Sequence, residues 1–388
     1  MGGSEGMDRT RAASIAAAIS CVTAVGIGLS LTIPLLSLEL DRMGASRTLI
    51  GINTAVAGVA SLIVVPFVPR LASRYGVLPL LWTAVLAVPV VIVAFKALSG
   101  IAWWFPLRFL LSAALGTLFV LSEFWITAAA PPARRGFVMG IYATVLSAGF
   151  ALGPVLLAVA GTSGWPPYLA GAGLFSLATL PLMFAGRLTP ALHDERQRKV
   201  WSFVTIAPAA TLAAFVFGAI ETGGFALLPV YGLAVGLTEA EGAILVSAIA
   251  LGNVACQVPI GLLADRVDRR ALLFGIGVAG ALGAAFIPLA AGHFEGLCAV
   301  LFVWGGLTGA FYPVGLAHLG ARFTGTDLVG ANAAFVILYN VGLMLGPPVV
   351  GVSMDLDPPH GFAWSLGGFC ALYVAVVGWR MLRASRAP

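Results

Sequence analysis

Charge is what this chain has least of. Only 10% of its 388 residues are Asp, Glu, Lys or Arg, against 60% hydrophobic, whereas soluble domains run near a quarter charged. That scarcity excludes an ordinary water-soluble globule, and a mean hydropathy of +1.01 assigns the chain to the membrane. Histidine is scarce too. His193, His293, His318 and His360 form no H-E-x-x-H pair, so no metal site is expected. Cys21, Cys256, Cys298 and Cys370 all fall inside apolar stretches, out of reach of an oxidising aqueous phase, which excludes a disulfide framework. There is no G-x-x-x-x-G-K-[ST] run, so the chain is not an ATP-driven pump working alone. No nucleophile and base stand together as an enzyme would need. Gly275 to Gly280 reads GIGVAG, but it lies within an apolar stretch rather than between a strand and a helix, and is read as helix packing. No cofactor is expected, and the chain is not read as an enzyme.

What is present is twelve apolar stretches, centred near residues 23, 58, 87, 116, 148, 175, 217, 252, 281, 308, 341 and 371. Each has the roughly 20 residues that cross about 30 Å of hydrocarbon as a helix. They lack the polar alternation of membrane strands. The expected fold is therefore an all-α membrane protein of twelve spans. The N-terminus lacks the cleavage pattern of a secretory signal, so the first span is expected to be kept. With both termini in the cytoplasm, 17 of the 21 basic residues fall on the cytoplasmic side, Arg42, Arg47 and Lys96 fall outside, and Arg108 lies within a span. That bias fixes the expected orientation. The net charge of +5 and pI near 9.3 record the same loop asymmetry, not a nucleic-acid partner. Trp103, Trp104, Trp165, Tyr168, Tyr231 and Trp379 sit at span ends, where amphipathic rings meet headgroups.

The chain also repeats itself. GLLADRVDRR, Gly261 to Arg270, has a worn copy, PRLASRYGVL, at Pro69 to Leu78, 192 positions earlier. GFALGP, Gly149 to Pro154, returns as GLMLGP, Gly342 to Pro347, at an offset of 193. Two signatures at nearly one spacing describe a duplication, as in transporters built from two facing repeats. The expected domains are six-helix bundles at 1–186 and 203–388, joined by a charge-dense linker at 187–202.

These residues resemble the major facilitator superfamily, whose hallmark is a cytoplasmic loop of the form G-x-L-A-D-R-x-x-R-R/K in each half. In the second half Gly261, Leu263, Ala264, Asp265, Arg266, Arg269 and Arg270 match, with Asp268 where Gly is usual. In the first half Leu71, Ala72, Arg74 and Gly76 match, while Pro69, Ser73 and Val77 depart from the pattern and the usual carboxylate is missing. GFALGP is similar to the G-x-x-x-G-P element noted in drug and proton antiporters of the family. Arg108, Ser112 and Gly116 are similar to its R-x-x-x-G element, and Glu123-Phe124-Trp125-Ile126 to a run in bacterial members of the YcaD type. The resemblance implies twelve helices in two pseudo-symmetric bundles, alternating access, and a gating loop formed by Gly261, Asp265, Arg266, Arg269, Arg270, Arg74 and Gly76.

Three ionisable groups stand inside spans, where each costs about 2.5–3.5 kcal/mol on insertion scales. Glu221, within ETGG, is the foremost proton-coupling candidate, because an apolar surround disfavours a charged carboxyl. Glu123 and Arg108 complete that set. Arg108, Ser112, Phe119 and Glu123 share one helical face. Trp304, Thr308, Phe311 and Tyr312 make an aromatic wall with scattered hydroxyls, suited to an amphipathic solute. Thr23, Ser30, Ser112, Phe119, Phe217 and Asn340 complete the candidate cavity. The expectation is a monomeric, proton-coupled secondary transporter of a small organic molecule in the bacterial inner membrane, with lipids around it and export as the direction. The alternatives are proton-coupled uptake of a metabolite such as a sugar or organic anion, or, outside transport, a receptor or assembly subunit that keeps the fold.

Overall fold

A computed structural model describes residues 2–98, 100–129, 135–177, 179–184 and 206–384; the expected linker at 187–202 lies outside them. Among the described residues there is no strand. The helices in chain order are α1 (Gly2–Arg42), α2 (Arg47–Val64), α3 (Val68–Tyr75), α4 (Val77–Ala97), α5 (Ile101–Ala129), α6 (Arg135–Ala160), α7 (Pro166–Leu177) and α8 (Thr179–Phe184). After the linker come α9 (Pro208–Ala234), α10 (Glu239–Ala264), α11 (Arg269–Ala284), α12 (Phe286–Leu289), α13 (Phe294–Gly309), α14 (Phe311–Arg322), α15 (Gly325–Leu356) and α16 (Gly361–Ala384). Each of the twelve predicted centres falls within one of these helices. Among the described residues nine helical stretches are long and apolar enough to cross a membrane.

Local chemistry sets the boundaries. Thr238 begins α10 with a reciprocal capping box: its hydroxyl accepts from the Glu241 N–H at 3.3 Å, and the Glu241 carboxylate accepts from the Thr238 N–H at 2.8 Å. Asp268 begins α11 by accepting from the Arg270 N–H at 3.1 Å. The residue that departs from the loop pattern thus serves as a helix cap. Gly76 ends α3 at φ 91°, a conformation open to glycine because it lacks a Cβ.

The described contacts divide the chain into two compact units, one of residues 1–35 and 59–195, the other of 36–58 and 196–388. In the first, α1 and α6 approach backbone to backbone. A Cβ on Gly153 would come within 2.8 Å of the Ile27 carbonyl oxygen, and the Ser30 hydroxyl donates to the Gly149 carbonyl at 3.1 Å. In the second, α9 and α15 meet the same way, with Gly342 against Phe215 and Gly346 against Ala219. GFALGP and GLMLGP therefore do one job in both repeats: their small residues let two helices touch.

The core of the second unit is built of alanines on α9 and α15, with Leu319 and Phe335 beside them, all fully buried. It also holds the end of α1 and the start of α2. There the Asp355 carboxylate accepts from the Thr48 hydroxyl at 2.6 Å and from the Thr48 and Arg47 N–H groups at 2.8 and 3.2 Å, and Arg42 bridges Glu39 and Glu239. The span-end aromatics divide. Trp103, Trp165 and Trp379 are exposed, whereas Trp104, Tyr168 and Tyr231 are buried. Trp104 instead packs edge-on against Phe95 with ring centroids 5.0 Å apart.

Candidate functional site

Glu221 lies midway along α9, the most enclosed span among the described residues. Its carboxylate accepts a 2.6 Å hydrogen bond from the Tyr339 hydroxyl on α15. Phe217, one helical turn earlier, stacks on Tyr339 with centroids 5.9 Å apart and meets Tyr312 of α14 at 5.5 Å. Tyr312 in turn meets Tyr339 at 5.4 Å and Phe335 at 5.0 Å. A carboxylate thus sits at the edge of a contiguous aromatic cluster drawn from three helices.

On its other side Glu221 lines a cavity of about 20 Å³ between α9, α10 and α13, with Phe217, Phe225, Asn253, Trp304 and Thr308. Among the described residues no Lys, Arg or His lines it. Trp304 is turned by a 2.9 Å hydrogen bond from its Nε1 to the Gly280 carbonyl, and the Thr308 hydroxyl donates to the Trp304 carbonyl at 2.9 Å. Three glycines, Gly305, Gly306 and Gly309, let α13 lie directly on α10; a Cβ on Gly309 would meet the Asn253 amide.

The structure brings together Glu221, Phe217, Trp304 and Thr308 from the sequence-predicted set, with Tyr312 in contact through Phe217. It places Phe311 elsewhere, fully buried and edge-on to Tyr373 at 4.9 Å. Asn340 donates to the Val336 carbonyl at 2.9 Å. In the first unit the hydroxyls of Thr23 and Ser30 are bonded to backbone carbonyls, Thr23 to Ile19 at 2.9 Å and Ser30 to Gly26 at 2.9 Å. Arg108 and Ser112 are buried on α5, while Glu123 and Phe119 are partly buried. Among the described residues nothing hydrogen-bonds the buried Nη2 of Arg108.

Of the residues expected to form a gating loop, Gly261 and Asp265 lie at the end of α10, and Arg269 donates to Asp265 at 3.2 Å. Arg266 is exposed and Arg270 partly buried. Asp265, Asp268, Arg269 and His318 surround an open hollow of about 290 Å³. In the weaker copy, the Arg74 guanidinium lies over the Tyr75 ring at 5.3 Å.

Sequence alone does not single out Tyr339. Its neighbour Asn340 drew attention as a polar residue in an apolar run, but only the pairing of α15 with α9 reveals that the phenol faces a carboxylate. Phe225, one turn beyond Glu221 on α9, was legible by the same helical spacing that singled out Phe217.

A set of apolar helices whose sequence signatures recur once per repeat, with a carboxylate and aromatic cluster inside one repeat, fits a multi-pass membrane transporter. The chain belongs to the Major Facilitator Superfamily, whose family model matches residues 18–251 and 210–388. Among curated proteins it is 25% identical over 343 residues to the MFS-type transporter YfkF of Bacillus subtilis (strain 168), covering 86% of this chain and 87% of that one. It is 23% identical over 295 residues to an MFS-type transporter of Enterobacter sp. (strain 638), covering 74% of each. Solved structures of the same fold include a bacterial homologue of the human lysosomal transporter Spinster, in an inward-facing and unoccupied conformation, with a TM-score of 0.79, 14% identity and 97% of each chain covered. The nucleoside transporter NupG matches with a TM-score of 0.78 at 11% identity, covering 98% of this chain and all of the other.

Proposed function

We propose that the protein is a proton-coupled secondary transporter of a small organic molecule, working by alternating access in a bacterial inner membrane. The halves 1–186 and 203–388 are its moving bodies, and both termini are cytoplasmic. The observation that carries the reading is Glu221: a carboxylate deep in an apolar helix, bonded to a phenol and lining a cavity without a cation. A group so placed is held by hydrogen bonding rather than by an ion pair, so gaining or losing a proton changes the charge of the whole site. The GFALGP run of α6, similar to the G-x-x-x-G-P element of the family's drug and proton antiporters, supports exchange. Protons entering gain about 2.3 kcal/mol per 100 mV and drive the cargo outward. Arg108 and Glu123 on α5 are the corresponding candidates in the first half.

The test uses proteoliposomes with an imposed pH gradient and a compound selected by thermal shift, since anything that binds the folded form raises its midpoint. Glu221→Gln is expected to abolish gradient-driven flux, while exchange of compound without a gradient persists when the compound is saturating. Undiminished accumulation in that variant removes Glu221 from coupling.

A further inference from the structure

The small cavity beside Glu221 has a hydrogen-bonding polarity that selects its occupant. The Trp304 indole N–H is spent on the Gly280 carbonyl. The Thr308 hydroxyl hydrogen is spent on the Trp304 carbonyl, and the Tyr339 hydroxyl hydrogen on one oxygen of Glu221. What these lining residues have left to offer is the second Glu221 oxygen, the lone pairs of Thr308 and the ring carbons of Phe217, Phe225 and Trp304. Asn253 alone keeps N–H groups to offer, beside its carbonyl oxygen; no described residue bonds its amide. The lining is rich in acceptors, carries one negative charge and no positive one, and is otherwise aromatic. An anion is excluded by the carboxylate, and a neutral apolar group would leave Glu221 and Asn253 unsatisfied.

Size narrows the choice further. A cavity of about 20 Å³ holds one water-sized group, since a single such group needs roughly 10–15 Å³ on this measure. A primary ammonium meets that limit and a quaternary one does not. Phe217, Glu221 and Asn253 are partly exposed, so the site is reachable, while Trp304 and Thr308 close its far wall fully buried.

We propose that this cavity is an ammonium-headgroup site: it binds the –NH3+ of a primary organic amine, with Glu221 as counter-ion, Asn253 and Thr308 as acceptors, and the aromatic rings supplying cation–π contact. This deepens the transporter reading by naming the class of cargo, and it rests on Glu221 serving the transport site. Placing α13 against α10 through glycines keeps the cavity small and so makes it selective among amines.

Binding to the purified protein in detergent, followed by thermal midpoint and by isothermal titration calorimetry, tests the site without any proton gradient. The probes are 2-phenylethylamine, its N,N,N-trimethyl derivative, 2-phenylethanol and sodium chloride. The primary amine is expected to bind at least tenfold more tightly than the other two organic probes, with sodium chloride at equal concentration giving no shift. E221Q is expected to lose at least tenfold in affinity for the amine and nothing for the alcohol. N253L, which fills the cavity from the neighbouring helix, is expected to weaken the amine similarly and serves if E221Q does not fold. Equal binding of amine and alcohol, tighter binding of the trimethyl form, a shift from sodium alone, or unchanged amine affinity in a folded variant overturns the proposal. These outcomes are separate from those for coupling. An amine that does not bind leaves the effect of Glu221→Gln on gradient-driven flux standing, and an amine that binds survives even if that flux proves independent of Glu221.

Discussion

Arg108 carries a charge that its described surroundings do not repay. It is 3% exposed, and no described group accepts from its buried Nη2. A buried cation kept only for structure would have a partner, because an unpaired one is destabilising. Arg108→Met is therefore expected to leave stability unchanged or raise it by up to about 2 kcal/mol, while transport in proteoliposomes falls at least tenfold. Denaturant unfolding beside flux reads both. A drop in stability with full transport makes the residue structural. Asp268 is the opposite case, a residue whose role is local. Removing its cap by Asp268→Ala is expected to cost about 0.5–2 kcal/mol, measured as a lower thermal midpoint. That role was legible from the sequence, where an Asp precedes a helical run, but the resemblance drew attention to the missing Gly instead.

At the scale of helices, small residues decide which pairs touch. A Cβ on Gly346 would collide with Ala219 backbone and one on Gly153 with Ile27, whereas nothing lies within 4 Å of Gly173 on α7. Gly346→Ala and Gly153→Ala are each expected to cost about 1–3 kcal/mol by forcing helices apart, and Gly173→Ala to be neutral. Thermal midpoints of the three variants check this, and equal values for all three would show that the helices separate at no cost. Asp355 fastens a different pair. Its carboxylate satisfies two N–H groups at the first turn of α2, groups that otherwise have no partner within the helix. Asp355→Ala is expected to speed hydrogen exchange of the Arg47 and Thr48 amides at least tenfold, the loss of a cap worth about 1–2 kcal/mol. Unchanged exchange at those amides would assign their protection to packing alone. The recurrence of GFALGP and GLMLGP was visible in the sequence. That both copies pack onto the first helix of their own half was not, since spacing along a chain does not name a neighbour.

For the whole molecule, charge asymmetry makes the prediction. With the native cysteines replaced, a single cysteine introduced as His193→Cys is expected to react with a membrane-impermeant maleimide only from the cytoplasmic side of sealed vesicles, since basic loops resist translocation. Labelling from the exterior alone reverses the assigned orientation. Hydropathy determined by itself that this chain is helical and embedded, because a span needs only length and apolar content, both local properties. The duplication and the loop hallmark likewise determined the family from linear order. Tertiary structure alone decided which polar residues meet. Glu221 and Tyr339 are far apart in sequence, and their bond exists because glycines on α15 bring it against α9. Ser30 and Phe311 looked equally suited to a cavity, yet both are committed to packing, because helical periodicity gives the face of a side chain but not what that face adjoins.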